Sequence, residues 1–203
     1  MPKISESLEM RWPCPDDRLV RKAVDWRQAI TFSDDLPQRH VLIMSGYFRG
    51  AHALVDHCST TMYERQTMIY PILFCYRHAL EMAMKWTVGS YGHRFGVSLP
   101  ELDHNLWHLW RACKAMFDQI DDKTAARSTS TVEKLLKEFH DLDIRAEAFR
   151  YPMKKDGTLI ALPAVAIDLI NLRQVMEGLE NFFSGADGYL DHLCSASDEI
   201  EYY

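Results

Sequence analysis

The stretch 69–86, IYPILFCYRHALEMAMKW, limits what this chain can fold into more than any other part of it. It is apolar on every side, the pattern of a helix buried all round rather than laid on a surface. Yet it carries Arg77, His78, Glu81 and Lys85. Arg77, Glu81 and Lys85 stand at i, i+4 and i+8, which puts them on one narrow stripe of a helix. Charges taken out of water need partners, because desolvating an unpaired one is expensive. The rest of the chain is therefore expected to supply a polar seam opposite this stripe.

A chain of 203 residues is long enough to bury a substantial core in one large domain. The expected division is an N-terminal arm, residues 1–33, and a single helical domain, residues 34–203. The net charge of −6 excludes a global basic field, so any nucleic-acid contact has to be local. The five cysteines are scattered and without CxxC spacing, which reads as reduced thiols in a cytoplasmic protein, several of them core fillers. The opening MPKISESLEMRWPCPDD has no apolar h-region, so no signal peptide is expected. The polar residues of the 69–86 stretch argue against a membrane span.

Prolines 2, 13 and 15 make the arm irregular, with a short helix expected over 20–30. Its basic scatter of Arg11, Arg18, Arg21, Lys22 and Arg27 is diluted by Asp16, Asp17 and Asp25. A first long helix begins near Ser33 to Asp35, with Pro37 in its first turn. Val41, Met44, Phe48, Ala51, Val55, Cys58 and Met62 recur along it at helical spacing. The central helix is expected over 67–88, because Pro71 fits only near a first turn, and Gly89-Ser90-Tyr91-Gly92 ends it. Ser98 and Glu101 form a capping-box pair that opens a third helix with Leu102, Leu106, Leu109, Trp110, Cys113 and Phe117 inward. A polar connector from Asp121 follows. Ser130 and Glu133 repeat the capping spacing and open a fourth helix, TVEKLLKEFHDLDIRAEAF. Lys155-Asp156-Gly157-Thr158 has turn chemistry, and its flanks FRYPM and TLIAL are set to pair as a hairpin. A last helix runs from about Ala164 through Phe183. The fold class is all-α: a bundle of four to five helices with a small hairpin-like insert before the last long helix.

Chemistry concentrates in a few places. On the central stripe Glu81 precedes Lys85 in the favourable order for a helical ion pair, and Arg77 is within one turn of Glu81. Arg77 suits a bidentate phosphate contact and His78 an acid or base. His104 and His108 are spaced i, i+4, as in zinc helices. Asn105 stands where the general-base Glu of such a helix belongs and no third ligand has matching spacing, so neither a metal nor a cofactor is expected. Arg145, Glu147, Arg150 and Tyr151 lie where the fourth helix runs into a turn, with Arg150 a partner for Glu81 or for a phosphate. The candidate catalytic residues are Arg77, His78 and His104. The candidate ligand-binding residues are Arg77, Glu81, Lys85, His108, Arg145, Arg150 and Tyr151. No Ser-His-Asp or Cys-His signature is present.

The succession YRHALEMAMKW, HNLWHLW, AFRYPMKKDG and DLINLRQVMEGLENFF, across residues 36–184, resembles bacterial proteins related to HEPN domains. The resemblance implies a helical bundle that works as a homodimer or as a subunit of a larger complex. It also implies a place in a phage-defence or toxin–antitoxin system and the binding of RNA, a nucleotide or a protein partner. Many HEPN domains are metal-independent endoribonucleases that use an Arg followed by a His after four to six intervening residues. No arginine of this chain has a histidine at that spacing. The resemblance therefore implies a binding module, with an endoribonuclease built on a non-standard Arg/His site as the alternative. Such a site would draw on Arg77, His78, His104 and Arg150 across helices.

Overall fold

A computed structural model describes residues 11–20, 22–58, 61–100, 104–120 and 123–201, with side chains over 127–196 in the last stretch. It is an all-α bundle of five helices: α1 Leu36–His57, α2 Met62–Tyr91, α3 Leu106–Phe117, α4 Lys123–Leu142 and α5 Leu169–Glu201. The chain forms two compact units, Met1–Asp34 and Asp35–Tyr203. In the first, the helix expected over 20–30 is one short 3-10 turn, Trp26–Gln28, started by the Asp25 side chain accepting from the Arg27 N–H. Arg21 lies outside the described residues.

α1 starts where its sequence says. The Asp35 carboxylate accepts the Gln38 N–H at 2.6 Å and Pro37 sits in the first turn. Phe48, Ala51 and Val55 are its buried positions, and Cys58 is buried at its C-cap. Met62 is not on this stripe; it is exposed and opens α2.

α2 is longer than expected. Thr61 caps it, its hydroxyl accepting the Glu64 N–H at 3.1 Å. Pro71 therefore lies inside the helix rather than in its first turn, and Gly89 to Tyr91 continue the helix rather than ending it. The exit is a 3-10 turn, Gly92–Phe95. Gly92 is required there, because a Cβ would run into the Val97 carbonyl oxygen. Ile72, Leu73, Tyr76, Leu80 and Met84 are buried on one broad face while Phe74, Cys75, His78, Met82 and Trp86 on the other side are half-buried, so burial is not complete all round; α2 contacts α1, α3 and α5. Each such side chain is worth about 1.5–3 kcal/mol of hydrophobic transfer. The organising role expected of this helix is what the packing shows.

Two helix starts differ from the capping pattern in the sequence. α3 begins at Leu106 because Asn105 caps it, accepting from the N–H groups of Trp107 at 2.9 Å and His108 at 3.2 Å. Glu101 and Leu102 lie outside the described residues, as does Asp121. α4 begins at Lys123, so Ser130 and Glu133 sit inside it, and it ends at Leu142 rather than at Phe149. Val132, Leu136 and Phe139 are its buried face. The stretch after it turns on Ala146, whose φ of 59° is the left-handed region. The hairpin-like insert reduces to one antiparallel bridge, Met153 to Leu159. α5 starts at Leu169, with Asp168 accepting the Ile170 and Asn171 N–H groups at 2.9 and 3.0 Å. Among the described residues no helix is long and apolar enough to cross a membrane.

Candidate functional site

A cavity of about 160 Å³ is lined by Phe74, Arg77, His78 and Glu81 of α2, by His104, and by Ala146 and Arg150. The polar seam expected opposite the α2 stripe is thus real, and it is built from two non-helical segments. Asn105 fixes the first of these by starting α3, which leaves His104 one residue outside the helix. His104 and His108 are consequently not an i, i+4 pair on one helical face. His108 is an exposed residue of α3 and does not line the cavity.

Glu81 is the anchor. It is 4% exposed, and its Oε1 accepts from Lys85 Nζ at 2.6 Å while lying 2.8 Å from His104 Nδ1. Burial works to raise its pKa, but the hydrogen bonds from Lys85 and His104 outweigh that, and the carboxyl lies below the ordinary carboxylate range. An ionised carboxylate only accepts, so His104 Nδ1 carries a proton, and in the neutral tautomer this leaves Nε2 as the acceptor. The His104 side chain is 71% exposed although its Nδ1 edge is held by a buried group.

Arg77 plays a different part from the one its sequence suggests. It does not bond to Glu81; its Nη2 donates to the His104 carbonyl at 3.0 Å. Nε and Nη1 are closed off from solvent and make no hydrogen bond. Burial pushes the guanidinium pKa down, while Asp143 and then Glu81 act to raise it. Asp143, at the end of α4, is 5% exposed, and its Oδ1 accepts the Glu147 N–H at 3.0 Å. His140, on the last turn of α4, is 6% exposed, and burial followed by the nearby Arg77 charge lowers its pKa. Arg77 thus fixes the backbone of His104 while Glu81 fixes its ring.

His78 lies against Tyr47, ring centroids 4.4 Å apart, and stacks on Phe74 at 6.1 Å and 8°. Burial lowers its pKa, which favours the neutral imidazole. Arg150 does not pair with Glu81. Its Nε and Nη2 donate to the Ala146 carbonyl at 2.9 and 2.5 Å, which holds the guanidinium 6.0 Å from the Phe74 ring and 5.3 Å from the Tyr151 ring.

Of the candidates named from sequence, Arg77, His78, Glu81, His104 and Arg150 meet at this cavity. Lys85 touches it through Glu81, and Tyr151 through Arg150. Arg145 and His108 are exposed and outside it. Sequence reasoning missed Phe74, Ala146, His140 and Asp143. The last two carried a signal: two polar residues three apart on the apolar side of a helix end. Among the described residues no group of three or more His, Cys, Asp or Glu side chains is placed to hold a metal ion. No family model, curated protein or solved structure matches this chain.

Proposed function

We propose that this is a HEPN-like helical module whose cavity receives a phosphate group of RNA or of a nucleotide. In this reading it acts in the cytoplasm within a bacterial phage-defence or toxin–antitoxin system, as a homodimer or as a subunit of a larger complex. The observation that carries the phosphate reading is the convergence of the fixed Arg150 guanidinium with His104 and His78 around one small cavity. Whole-ligand pockets run to roughly 300–1,000 Å³, so a cavity of about 160 Å³ suits one charged group of a larger ligand. The cellular setting is supported by the order of the sequence motifs. The test is calorimetric titration with uridine monophosphate and inorganic phosphate. Arg150→Ala is expected to weaken binding by about tenfold, the scale of one charge-assisted contact. Absence of binding by the wild-type chain at millimolar ligand defeats the reading.

A second reading, metal-independent endoribonuclease, is favoured by the Glu81–His104 pair. A carboxylate that fixes the protonated nitrogen of an exposed imidazole makes the other nitrogen a general base. At such a base the ribose 2′-hydroxyl gives its proton to His104 Nε2 as its oxygen attacks the adjacent phosphorus. The 5′-oxygen then leaves with a proton from a second acid, giving a 2′,3′-cyclic phosphate and a 5′-hydroxyl. Incubation of RNA with the chain in chelator is the check: cleavage abolished by His104→Ala supports the nuclease, and no cleavage by wild type leaves binding alone.

A further inference from the structure

The segment leaving the cavity presents a surface that the cavity does not use. Arg150 forms part of the cavity wall, Tyr151 follows it directly, and the chain then turns back on itself. Met153 and Leu159 bridge, the Lys154 N–H donates to the Thr158 carbonyl at 2.8 Å, and the Gly157 N–H donates to the Lys154 carbonyl at 3.0 Å. Gly157 takes φ of 82°, which a residue with a Cβ rarely adopts. The Asp156 carboxylate is turned onto Thr158, accepting its N–H at 2.9 Å. Arg150, Lys154 and Lys155 against the one Asp156 make residues 150–159 net basic in a chain of net charge −6. Between the cations, Tyr151, Met153 and Leu159 are 54%, 51% and 75% exposed.

Flat groups run in a column toward this surface. His78 stacks on Phe74, the Arg150 guanidinium lies over Phe74, and the same guanidinium lies over Tyr151. Two hydrogen bonds to the Ala146 carbonyl hold Arg150 in place, so the column is preorganised. It ends on an exposed tyrosine ring.

We infer that residues 150–159 bind single-stranded RNA, an unpaired base stacking on Tyr151 while the backbone phosphates pass Lys154 and Lys155. This rests on reading the cavity as a phosphate site, and it names the ligand class of that site. Paired bases inside a duplex offer no free face to an exposed ring, whereas unstacked ones do. An acidic peptide would match the lysines and leave the column without a partner.

The test uses the full chain with an oligouridylate of about eight nucleotides, within the usual span of single-strand sites. Tyr151→Ala is expected to weaken oligomer binding by about 5- to 100-fold, the loss of one base stack. The paired substitution Lys154→Ala with Lys155→Ala is expected to lower the slope of log affinity against log salt by about 1.4. The lysine pair, which does not line the cavity, leaves uridine monophosphate binding unchanged. Equal affinity for a duplex of the same length, an unaltered affinity in Tyr151→Ala, or displacement by polyglutamate at matched charge overturns the inference. If uridine monophosphate binds and the oligomer gains nothing over it, the hairpin assignment falls and the cavity reading stands. If oligomer binding needs Tyr151 and the lysines but ignores His104→Ala, the hairpin assignment stands and the cavity reading falls.

Discussion

His104 Nδ1 lies 2.8 Å from Oε1 of Glu81, a residue 23 positions earlier in the chain, and the two could hardly differ more in exposure. One is buried in the central helix and the other stands in solvent just outside α3. The Arg77 guanidinium holds the His104 carbonyl from the same helix, so the exposed residue is fixed at two points by buried charges. Fixing an exposed side chain this way forfeits rotamer entropy, which a purely structural surface histidine has no need to lose.

The Glu81 carboxyl has a definite pH consequence. Its folded pKa is lowered, so the stability it contributes is present above the ordinary carboxylate range and is lost as pH falls through the folded value. Glu81→Gln removes that dependence. Melting temperatures followed from about pH 6 to about pH 3 should show wild type and variant converging as acid is added. A constant gap across that range would contradict the assigned role of Lys85 and His104.

Arg77 is 3% exposed, and the charge of Asp143, 5% exposed, acts on it without an ion pair between them. Removing Arg77 takes a compensating charge from the buried Asp143 and the donor from the His104 carbonyl. Arg77→Ala is expected to lower the unfolding free energy by about 1–3 kcal/mol in urea titration. Arg77→Met combined with Asp143→Asn should recover a good part of that loss. Equal urea midpoints for Arg77→Ala and wild type would show that Asp143 is not sensing this charge.

Much of this architecture was legible from local chemistry, and the failures have one cause. Asp35 with Pro37 marked α1 because a cap and a first-turn proline agree there. At Ser130 and Glu133 the capping-box spacing is present inside α4, where the packing of Val132, Leu136 and Phe139 makes the helix continuous. Thr61 and Glu64 carry the same spacing and do start α2, but Pro71 puts the expected boundary five residues too late, at Thr67 rather than Met62. Capping residues report local preference, and tertiary packing decides which of them is used. Arg77 and Glu81 were legible because charges in an apolar stretch need partners, and His78, His104 and Arg150 line the same cavity with them. Their pairing was not, since it depends on where α3 begins and α4 ends.

Ala146 is the described non-glycine residue with positive φ, and it stands in the cavity wall. The left-handed conformation costs a residue with a Cβ about 1–2 kcal/mol. Its carbonyl receives Arg150, so the strain belongs to the geometry that positions that guanidinium. Ala146→Gly relieves it while adding freedom to the unfolded chain, for a net gain of about 0.5–1 kcal/mol in denaturant unfolding. Lower stability than wild type would show that the methyl packs more than it strains.

Pro71 offers the sharpest test of the helix assignment. It is exposed, it lies in the interior of α2, and its missing N–H deprives the Thr67 carbonyl of its usual helical donor. The Thr67 hydroxyl donates to the Tyr63 and Glu64 carbonyls at 3.0 and 3.1 Å, which leaves its own carbonyl without that donor. A proline in a helix interior is unfavourable by about 3 kcal/mol against alanine, and up to about 1 kcal/mol of that is offset because proline also restricts the unfolded chain. Pro71→Ala should therefore raise the unfolding free energy by about 2 kcal/mol, with helical content unchanged by circular dichroism. Were residues 62–70 instead outside the helix, as the sequence-based boundary at Thr67 implies for most of them, the substitution would gain far less. A gain on the expected scale places a continuous helix from Thr61 to the cavity, and with it the register that sets Phe74, Arg77, His78 and Glu81 along one wall.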